Sequence, residues 1–418
     1  MASSTTSAAA DASDSGQSRL PLIESATLGP QLSLWLGGAY LLLLLVGVVI
    51  FRLPGATIRG NELSFERTVF TVINAATLTG FQQSVPLDDF GPTGKACLIT
   101  LTVAGTMITL LVGGMALARA TRMPYTDGQI IRATLITYIF LIGCGSALLA
   151  EPGRGLLASF VQAASAFGNS GIYLGRLPGA LDWRTHAALM PLALLGGLAV
   201  PVLMEVGDAI FSRRKISMHS RAVLSLTAAM YLIGLLALIP WDALFPGRND
   251  ASSEIVAASA LSLDARSAGF PIAIIGGMSR VAQWLLIVLM LIGAAPGGAG
   301  GGLKVTALFH FFRGTRRALR REGASRVTGI AATWIATYLL LVFITLLALL
   351  ATLPEMAVDR LIFLAVSALG TVGLSHDPIA LEGPANYILC AAMLLGRILP
   401  LLVLWWCAQT CDDADVAV

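Results

Sequence analysis

One pattern recurs four times along this chain: a short stretch of small and apolar residues that ends in an isolated glycine. The four glycine segments are TVINAATLTGF (71–81), FVQAASAFGNSGI (160–172), EIVAASALSLDARSAGF (254–270) and FLAVSALGTVGL (363–374). Their glycines, Gly80, Gly171, Gly269 and Gly373, are separated by 91, 98 and 104 residues. This near-regular spacing indicates four copies of one unit. Four equivalent elements around one axis can replace the hydration shell of a cation with a ring of oxygens.

The composition is that of an integral membrane protein. Hydrophobic residues make up 56% of the chain and charged residues 12%, whereas soluble domains carry roughly 25% charged residues. Eight apolar stretches reach about the 20 residues that a membrane span needs. They form four pairs, 33–53 with 95–118, 129–150 with 186–211, 221–246 with 280–312, and 327–353 with 384–408.

One glycine segment lies between the members of each pair, and each is too short to cross the membrane. Irregular backbone at membrane depth must be buried in protein or line water. We therefore expect an all-α membrane protein with eight transmembrane helices, arranged as four repeats of span, pore helix and span around a central pore. The expected divisions are a disordered cytoplasmic tail at 1–28 and repeats at 29–122, 123–216, 217–325 and 326–418.

Basic residues concentrate in the loops between the repeats. They are Arg119, Arg122 and Arg132, then Arg213, Arg214, Lys215 and Arg221, then Arg313, Arg316, Arg317, Arg320, Arg321 and Arg326. The positive-inside rule places these loops, and with them both termini, in the cytoplasm. The bases account for the net charge of +3, so no nucleic-acid partner is expected.

A glycine-rich loop is expected at 294–303, inside the predicted span 280–312. It contains Gly297, Gly298, Ala299, Gly300, Gly301 and Gly302. Each glycine costs a helix roughly 1 kcal/mol relative to alanine, so this part of the span should be unwound. The alternative to a gate is a hinge without a gating role. Lys304 either ends this loop or is the first interfacial base beyond it.

Arg397 lies in the last predicted span, between apolar neighbours. A guanidinium at membrane depth is costly and usually faces the protein interior or a water-filled cavity. The alternative is an arginine that pairs with a neighbouring acid and packs two helices together.

The motifs TLTGF, SAFGNSGI, ARSAGF and SALGTVGL, with GAAPGGAGGGLK (293–304) and LLGRILPLL (394–402), resemble the Trk/Ktr/HKT superfamily of potassium transporters. The resemblance extends from about residue 30 to residue 410, and the size is similar to that of a Ktr-type pore subunit. It implies potassium uptake across the plasma membrane, here a bacterial inner membrane, through a selectivity filter gated by an intramembrane loop. It also implies a homodimer and a cytosolic ring of nucleotide-binding regulatory subunits.

The resemblance further implies a role for particular residues. The filter would consist of Thr79, Gly80, Ser170, Gly171, Ala268, Gly269, Val372 and Gly373, with K⁺ bound by carbonyl oxygens near the four glycines. The gate would consist of Gly297, Gly298, Ala299, Gly300, Gly301, Gly302, Lys304 and Arg397, and Arg397 would bond loop carbonyls and repel cations.

Some positions depart from the family pattern. Gly298 and Ala299 occupy positions where the family usually has Ser and Thr, and Asp264 replaces a usual Thr. Asp264 either raises the cation concentration at the pore mouth, or pairs with Arg266 or caps a turn. The amphiphilic stretch 306–326 either lies on anionic lipid or contacts a regulatory subunit.

Other classes of function fit less well. A sodium-permeable or weakly selective cation transporter of the same fold is the main alternative, although Gly80, rather than a serine, favours potassium. An enzyme would need paired carboxylates or a histidine cluster within the spans, but His186, His219, His310 and His376 are scattered along the chain. The five cysteines lack metal-ligand spacing, and no nucleotide-binding motif is present. We therefore expect no enzymatic activity and no cofactor, with K⁺ as the transported ion.

Overall fold

The computed structural model describes residues 30–57, 63–151, 153, 155–239, 251–323 and 326–410, so the predicted tail at 1–28 lies outside the described residues. Within these ranges the chain is all α-helical, without a β-strand. The helices are α1 (Pro30–Phe51), α2 (Phe65–Ala76), α3 (Pro92–Ala120), α4 (Asp127–Leu149), α5 (Leu156–Gly168), α6 (Met190–Gly197), α7 (Val200–Ser212), α8 (Met218–Leu238), α9 (Ala251–Leu263), α10 (Arg280–Leu291), α11 (Val305–Leu319), α12 (Arg326–Thr352), α13 (Val358–Leu369) and α14 (Pro384–Thr410).

Several of these helices can cross a membrane. In the described part of the chain, α3, α4, α8, α12 and α14 are long and apolar enough, and α6 with α7 would make a sixth span if the bent pair counts as one. The most apolar window of α12 has a mean hydropathy of 2.5, yet only 17% of it is buried. Such exposed apolar surface is suited to lipid, so this is a multi-pass membrane protein. The predicted count of eight spans remains a prediction.

The short helices α2, α5, α9 and α13 form the centre of the molecule. Most residues of α2, α5 and α13 are buried, as are most of those in the second half of α9, and the long helices pack around them. Glycines in the long helices make close contact possible: a Cβ atom on Gly105 of α3 would overlap the carbonyl of Ala76, and one on Gly396 of α14 would overlap that of Leu369. The long helices therefore touch the carboxyl ends of α2 and α13 directly.

The stretch predicted as one span at 186–211 is interrupted. Its helical parts, 185–197 and 200–212, meet at an angle of 106°. Gly196 and Gly197 end α6, and Pro201 lies in the first turn of α7, where its missing N–H has no helical partner to lose. A second interruption separates α10 from α11, and we call residues 292–304 between them the glycine loop.

Candidate functional site

The four predicted glycines lie in a closed ring of contacts. Each has a positive φ: 76° at Gly80, 64° at Gly171, 65° at Gly269 and 87° at Gly373. A Cβ atom built on each would overlap a carbonyl oxygen of the next segment: that of Ser170 for Gly80, Gly269 for Gly171, Val372 for Gly269 and Thr79 for Gly373. Conformation and lack of space both disfavour a side chain at these positions. Because the fourth segment contacts the first, the ring closes within one chain.

Three of the segments end their helices in the same way. The N–H groups of Thr79, Ser170 and Val372, each just before a ring glycine, donate to the carbonyls of Asn74, Ser165 and Ser367 at 3.1, 3.0 and 2.9 Å. One position earlier, Leu78, Asn169 and Thr371 have positive φ values of 58°, 52° and 47°. In the third segment Gly269 itself donates to Asp264, at 3.1 Å, after a π-helical turn over Asp264–Ala268.

The side chains of Asn74 and Asp264 hold the residue that follows a ring glycine. Asn74 accepts a hydrogen bond from Phe81 N at 2.9 Å and donates to Phe81 O at 3.0 Å. Asp264 accepts from Phe270 N at 2.8 Å, while its Oδ2 atom is buried without a hydrogen-bond partner. The ion pairs found among the described residues do not join Asp264 to Arg266. Of the alternatives considered for Asp264, the structure therefore favours the capped turn.

The remaining predicted filter residues differ in their side chains and share only their backbone oxygens. The hydroxyl of Thr79 is hydrogen-bonded to that of Thr77 at 2.8 Å, and Ser170 is bonded to Ser165 at the same distance. Ala268 and Val372 have no polar side-chain atom, and all four predicted positions are fully buried. Carbonyl groups are therefore the oxygens that all four positions have in common at the ring.

Gln82 is a residue that the sequence analysis missed. Its Nε2 atom donates to the carbonyls of Gly80 and Gly171, at 3.2 and 3.3 Å. The amide therefore bridges the first and second segments at the ring itself.

The glycine loop returns on itself. Gly293 N donates to Leu303 O at 2.9 Å, and Ile292 is bridged to Leu303. A Cβ atom on Gly298 would overlap the carbonyl of Gly197, and Gly297 lies against Gly113 of α3. The unwinding expected within 280–312 is present, and the glycines lie where another backbone comes too close for a side chain.

Three cationic side chains donate to carbonyls of this loop; Arg397 and Arg266 are buried and Lys304 is half-buried. Arg397, which is 4% exposed, donates to Ala299 O and also to Thr77 O at 2.7 Å, Leu78 O at 3.4 Å and Thr371 Oγ1 at 3.0 Å. Lys304 donates to Gly300 O at 2.6 Å. Arg266, another residue that the sequence analysis did not assign, donates to Gly293 O at 3.2 Å and Thr227 O at 3.4 Å.

These contacts bear on the alternatives left open for Arg397 and Lys304. The hydrogen-bond partners of Arg397 in the described residues are carbonyls and a hydroxyl rather than an acid. Lys304 contacts the loop that it ends. Both side chains therefore hold the loop in place.

The loop also lies against the bend between α6 and α7. Ala299 N donates to Gly196 O at 2.8 Å, and Ala295 N donates to Gly197 O at 3.3 Å. The carbonyls freed where α6 ends thus accept the N–H groups that the loop cannot satisfy internally. The bend and the loop complement each other, which neither sequence stretch revealed alone.

A cavity of about 190 Å³ lies on one side of the loop. Its lining includes Gly297, Gly300, Lys304 and Arg397, and His219 and His310 reach it from α8 and α11. Two of the four histidines that are scattered along the sequence therefore line the same cavity. In the described part of the chain, however, His, Cys, Asp and Glu side chains form no group of three that could hold a metal ion.

Known proteins resemble this chain over most of its length. The Ktr system potassium uptake protein D of Bacillus subtilis is 25% identical over 403 residues, covering 86% of this chain and 89% of that protein. The Ktr system potassium uptake protein B of Vibrio alginolyticus is 25% identical, with 89% and 90% covered. The potassium/sodium uptake protein NtpJ of Enterococcus hirae is 24% identical, with 87% and 90% covered.

The fold is also that of a solved transporter. The crystal structure of the potassium transporter TrkH from Vibrio parahaemolyticus aligns with a TM-score of 0.69 and 17% identity, over 90% of this chain and 85% of that one. The TrkH family, described as a cation transport protein, matches residues 186–409, which is more than half of the chain. This is a family of transporters and not of enzymes. The resemblance noted in the sequence is confirmed, and this chain belongs to the TrkH family of cation transport proteins.

Proposed function

We propose that this protein takes up potassium ions through the ring of four glycine segments, which acts as its selectivity filter. The closed ring of contacts from Gly80 through Gly171 and Gly269 to Gly373 carries the proposal. Carbonyls at and next to these glycines would replace the water of hydration around K⁺. Thr79, Ser170, Ala268 and Val372 would contribute their backbone oxygens, which all four positions have in common.

Helix polarity supports a cation at this position. α2, α5 and α13 all end just before the ring, so the partial negative charge of each carboxyl end lies near it. A carboxylate in the ring is then unnecessary. Asp264 is occupied with Phe270 N, which fits a structural role for this acid.

The filter proposal is tested by the ratio of rubidium to sodium uptake into proteoliposomes. Gly80→Ser should lower this ratio more than it lowers the amount of inserted protein, because the added side chain displaces the carbonyl of Ser170. An unchanged ratio in intact protein would remove Gly80 from the filter. Potassium-dependent growth of an uptake-deficient host that expresses this chain tests the direction and ion of transport.

A second candidate function is sodium-permeable or weakly selective cation transport by the same fold. The relative from Enterococcus hirae is named for both potassium and sodium uptake. Gly80 favours potassium, because a glycine at this position makes the first segment equivalent to the other three. Equal uptake of sodium and rubidium by the parent protein would decide for the second candidate.

We further propose that the glycine loop is the gate. It would obstruct the path between the ring and the 190 Å³ cavity, and the positive charges of Arg397 and Lys304 would oppose a cation there. Arg397 also donates to Thr77 O and Leu78 O beside the ring, so the same side chain would hold the loop close to the filter. Gly297, Gly298, Ala299, Gly300, Gly301 and Gly302 would form the obstruction.

Removing the obstruction should raise flux. Deletion of Gly298–Gly301 should increase rubidium influx per inserted protein severalfold, with little change in the rubidium to sodium ratio. Arg397→Ala should act in the same direction, and Arg397→Lys should lie between it and the parent because lysine keeps the charge but loses the fork of donors. If the deletion and Arg397→Ala are well inserted and conduct no faster than the parent, the loop is structural.

The arrangement in the membrane and the partners complete the proposal. The four repeats, 29–122, 123–216, 217–325 and 326–418, would supply eight spans around the pore, with both termini in the cytoplasm of a bacterial cell. Two chains would associate, each with its own pore, and bind a cytosolic nucleotide-binding regulatory ring. Mass measurement in native lipid should give two copies, and a tetramer around one shared pore would contradict a ring that closes within each chain.

A further inference from the structure

The amide of Gln82 donates to two of the four ring glycines. Its Nε2 atom lies 3.2 Å from Gly80 O and 3.3 Å from Gly171 O. Among the hydrogen bonds of the described residues, no side chain donates to the carbonyls of Gly269 or Gly373. One half of the ring is therefore capped by a donor and the other half is not.

The backbone of Gln82 is fixed while its side chain can rotate. Ile379 N donates to Gln82 O at 2.7 Å, and Ser84 N donates to Ile379 O at 3.1 Å. These bonds hold the strand-like stretch after the first ring glycine against the stretch that follows the fourth segment. Motion at this position is consequently confined to the side-chain torsions, which can withdraw the amide without moving the ring.

The Nε2 atom lies within hydrogen-bond distance of both carbonyl oxygens, so it occupies the space from which a potassium ion would contact the two oxygens together. Each carbonyl oxygen has two lone pairs, but the amide N–H group and the ion both present positive charge and repel each other at this distance. An ion that binds both oxygens from this side therefore has to displace the amide and break both hydrogen bonds.

We propose that Gln82 competes with the transported cation for the carbonyl oxygens of Gly80 and Gly171 and thereby sets the ion affinity of this half of the ring. The inference rests on the proposed filter. Gln82 is a specificity-determining residue in this scheme. An ion whose binding to these carbonyls is more favourable than the two hydrogen bonds displaces the amide, and an ion that binds the carbonyls more weakly does not.

The test compares Gln82→Leu, which removes the amide at similar size, with Gln83→Leu as a matched control. Gln83 is the next residue, and its Oε1 atom accepts from Thr71 Oγ1 at 2.7 Å. The apparent KM for rubidium influx into proteoliposomes should fall roughly fivefold or more in Gln82→Leu and should not change in Gln83→Leu. Gln82→Glu, which cannot donate and adds negative charge, should lower KM at least as far.

Calorimetric titration of K⁺ into the detergent-solubilised protein provides a second measurement that does not need transport. Gln82→Leu should bind K⁺ more tightly than the parent by the same factor. Gly80→Ser, measured alongside, separates the inference from the proposed function.

Four results overturn the inference. An unchanged KM and K⁺ affinity in Gln82→Leu, with altered selectivity in Gly80→Ser, removes Gln82 and leaves the filter in place. A raised KM makes the amide a ligand of the ion rather than a competitor. An equal fall in Gln83→Leu assigns the change to the surrounding structure. No selectivity change in Gly80→Ser removes the filter, and the competition with it.

Discussion

The third glycine segment reaches the ring by a different route from the other three. In each segment, one carbonyl accepts the last hydrogen bond of the helix. The ring glycine comes six residues after that carbonyl in the first, second and fourth segments (74 to 80, 165 to 171 and 367 to 373), but five residues after it in the third (264 to 269). The three longer segments each use a non-glycine residue at positive φ. The third uses a π-helical turn, and Gly269 is its first residue at positive φ.

The difference shows that ring closure, and not one local conformation, is what the four segments share. A residue in the left-handed region costs of order 1–2 kcal/mol unless it is glycine, and the π turn avoids this cost. The same turn carries Asp264, which bonds Phe270 N, and Arg266, which bonds Gly293 of the glycine loop. The π-helical turn, in which the third segment differs from the others, therefore contacts both the ring and the glycine loop.

The largest expected effect comes from replacing the ring glycines one at a time with alanine. Gly269→Ala and Gly80→Ala should lower rubidium influx more than tenfold, because the new methyl group overlaps a carbonyl and φ is positive. Gly171→Ala should be the mildest of the three, since its Cβ would lie 2.6 Å from Gly269 O, the least severe overlap. Influx per inserted protein gives the ranking.

Gly143→Ala in α4 is the control for this series, because a Cβ there meets nothing within 4 Å. It should transport like the parent. If Gly171→Ala is the most harmful variant, then overlap at the ring does not set the order, and the third segment is not distinguished by its tight approach to Val372.

An exchange between Asn74 and Asp264 tests the two kinds of helix end. Asp264→Asn removes a fully buried acid but keeps the oxygen that accepts from Phe270 N, and it should raise the free energy of unfolding by about 1 kcal/mol. Asn74→Asp should lower it by about 2 kcal/mol, because the bond to Phe81 O is lost and an acid is buried. Unfolding in detergent, followed by circular dichroism, measures both changes.

Destabilisation by Asp264→Asn would contradict this reading. It would mean that the negative charge of Asp264 is compensated by a bound cation, and K⁺-dependent melting of the parent alone would identify that cation. The two segments would then differ in electrostatics and not only in the geometry of the helix end.

The smallest expected effect concerns pH and the contact between α10 and the stretch that follows the fourth segment. His376 follows the fourth ring glycine and is bonded to Gln283 Oε1 of α10 at 2.9 Å. Burial lowers the pKa of His376 below its ordinary value, and the charge of Arg360 lowers it further. The folded protein therefore favours the neutral ring, and its stability should be full above the unfolded pKa of about 6.5 and fall as the pH drops below it.

The midpoint of thermal unfolding in detergent at pH 7 and pH 5 checks this expectation. The parent should lose at most a few degrees more than His376→Gln, since glutamine can still donate to Gln283 but does not titrate. An equal loss in the two proteins would show that other groups cause the acid sensitivity.

Much of the candidate site could be predicted because its signals are local. Small residues followed by a glycine, repeated at near-equal spacing, identified the four segments, and the glycine cluster at 297–302 identified the unwound loop. The roles of Gln82 and Arg266 could not be predicted, because each depends on which distant carbonyl lies within reach. Gly171 is 89 residues from Gln82. The bend after Gly197 is a third case, because its glycines are needed only where the glycine loop packs against them.

The contacts of the glycine loop have a consequence for how it can move. The loop touches Gly113 of α3, Gly196 at the end of α6, Arg266 of the π turn and Arg397 of α14. One short piece of backbone shares these contacts, so a displacement large enough to break one breaks the others with it. Packed elements of this kind change between discrete arrangements and do not deform gradually. If the loop is the gate that we propose, single-channel current through this protein should step between fixed levels, and weakening any one contact should alter the time spent at each level while leaving the size of the step unchanged.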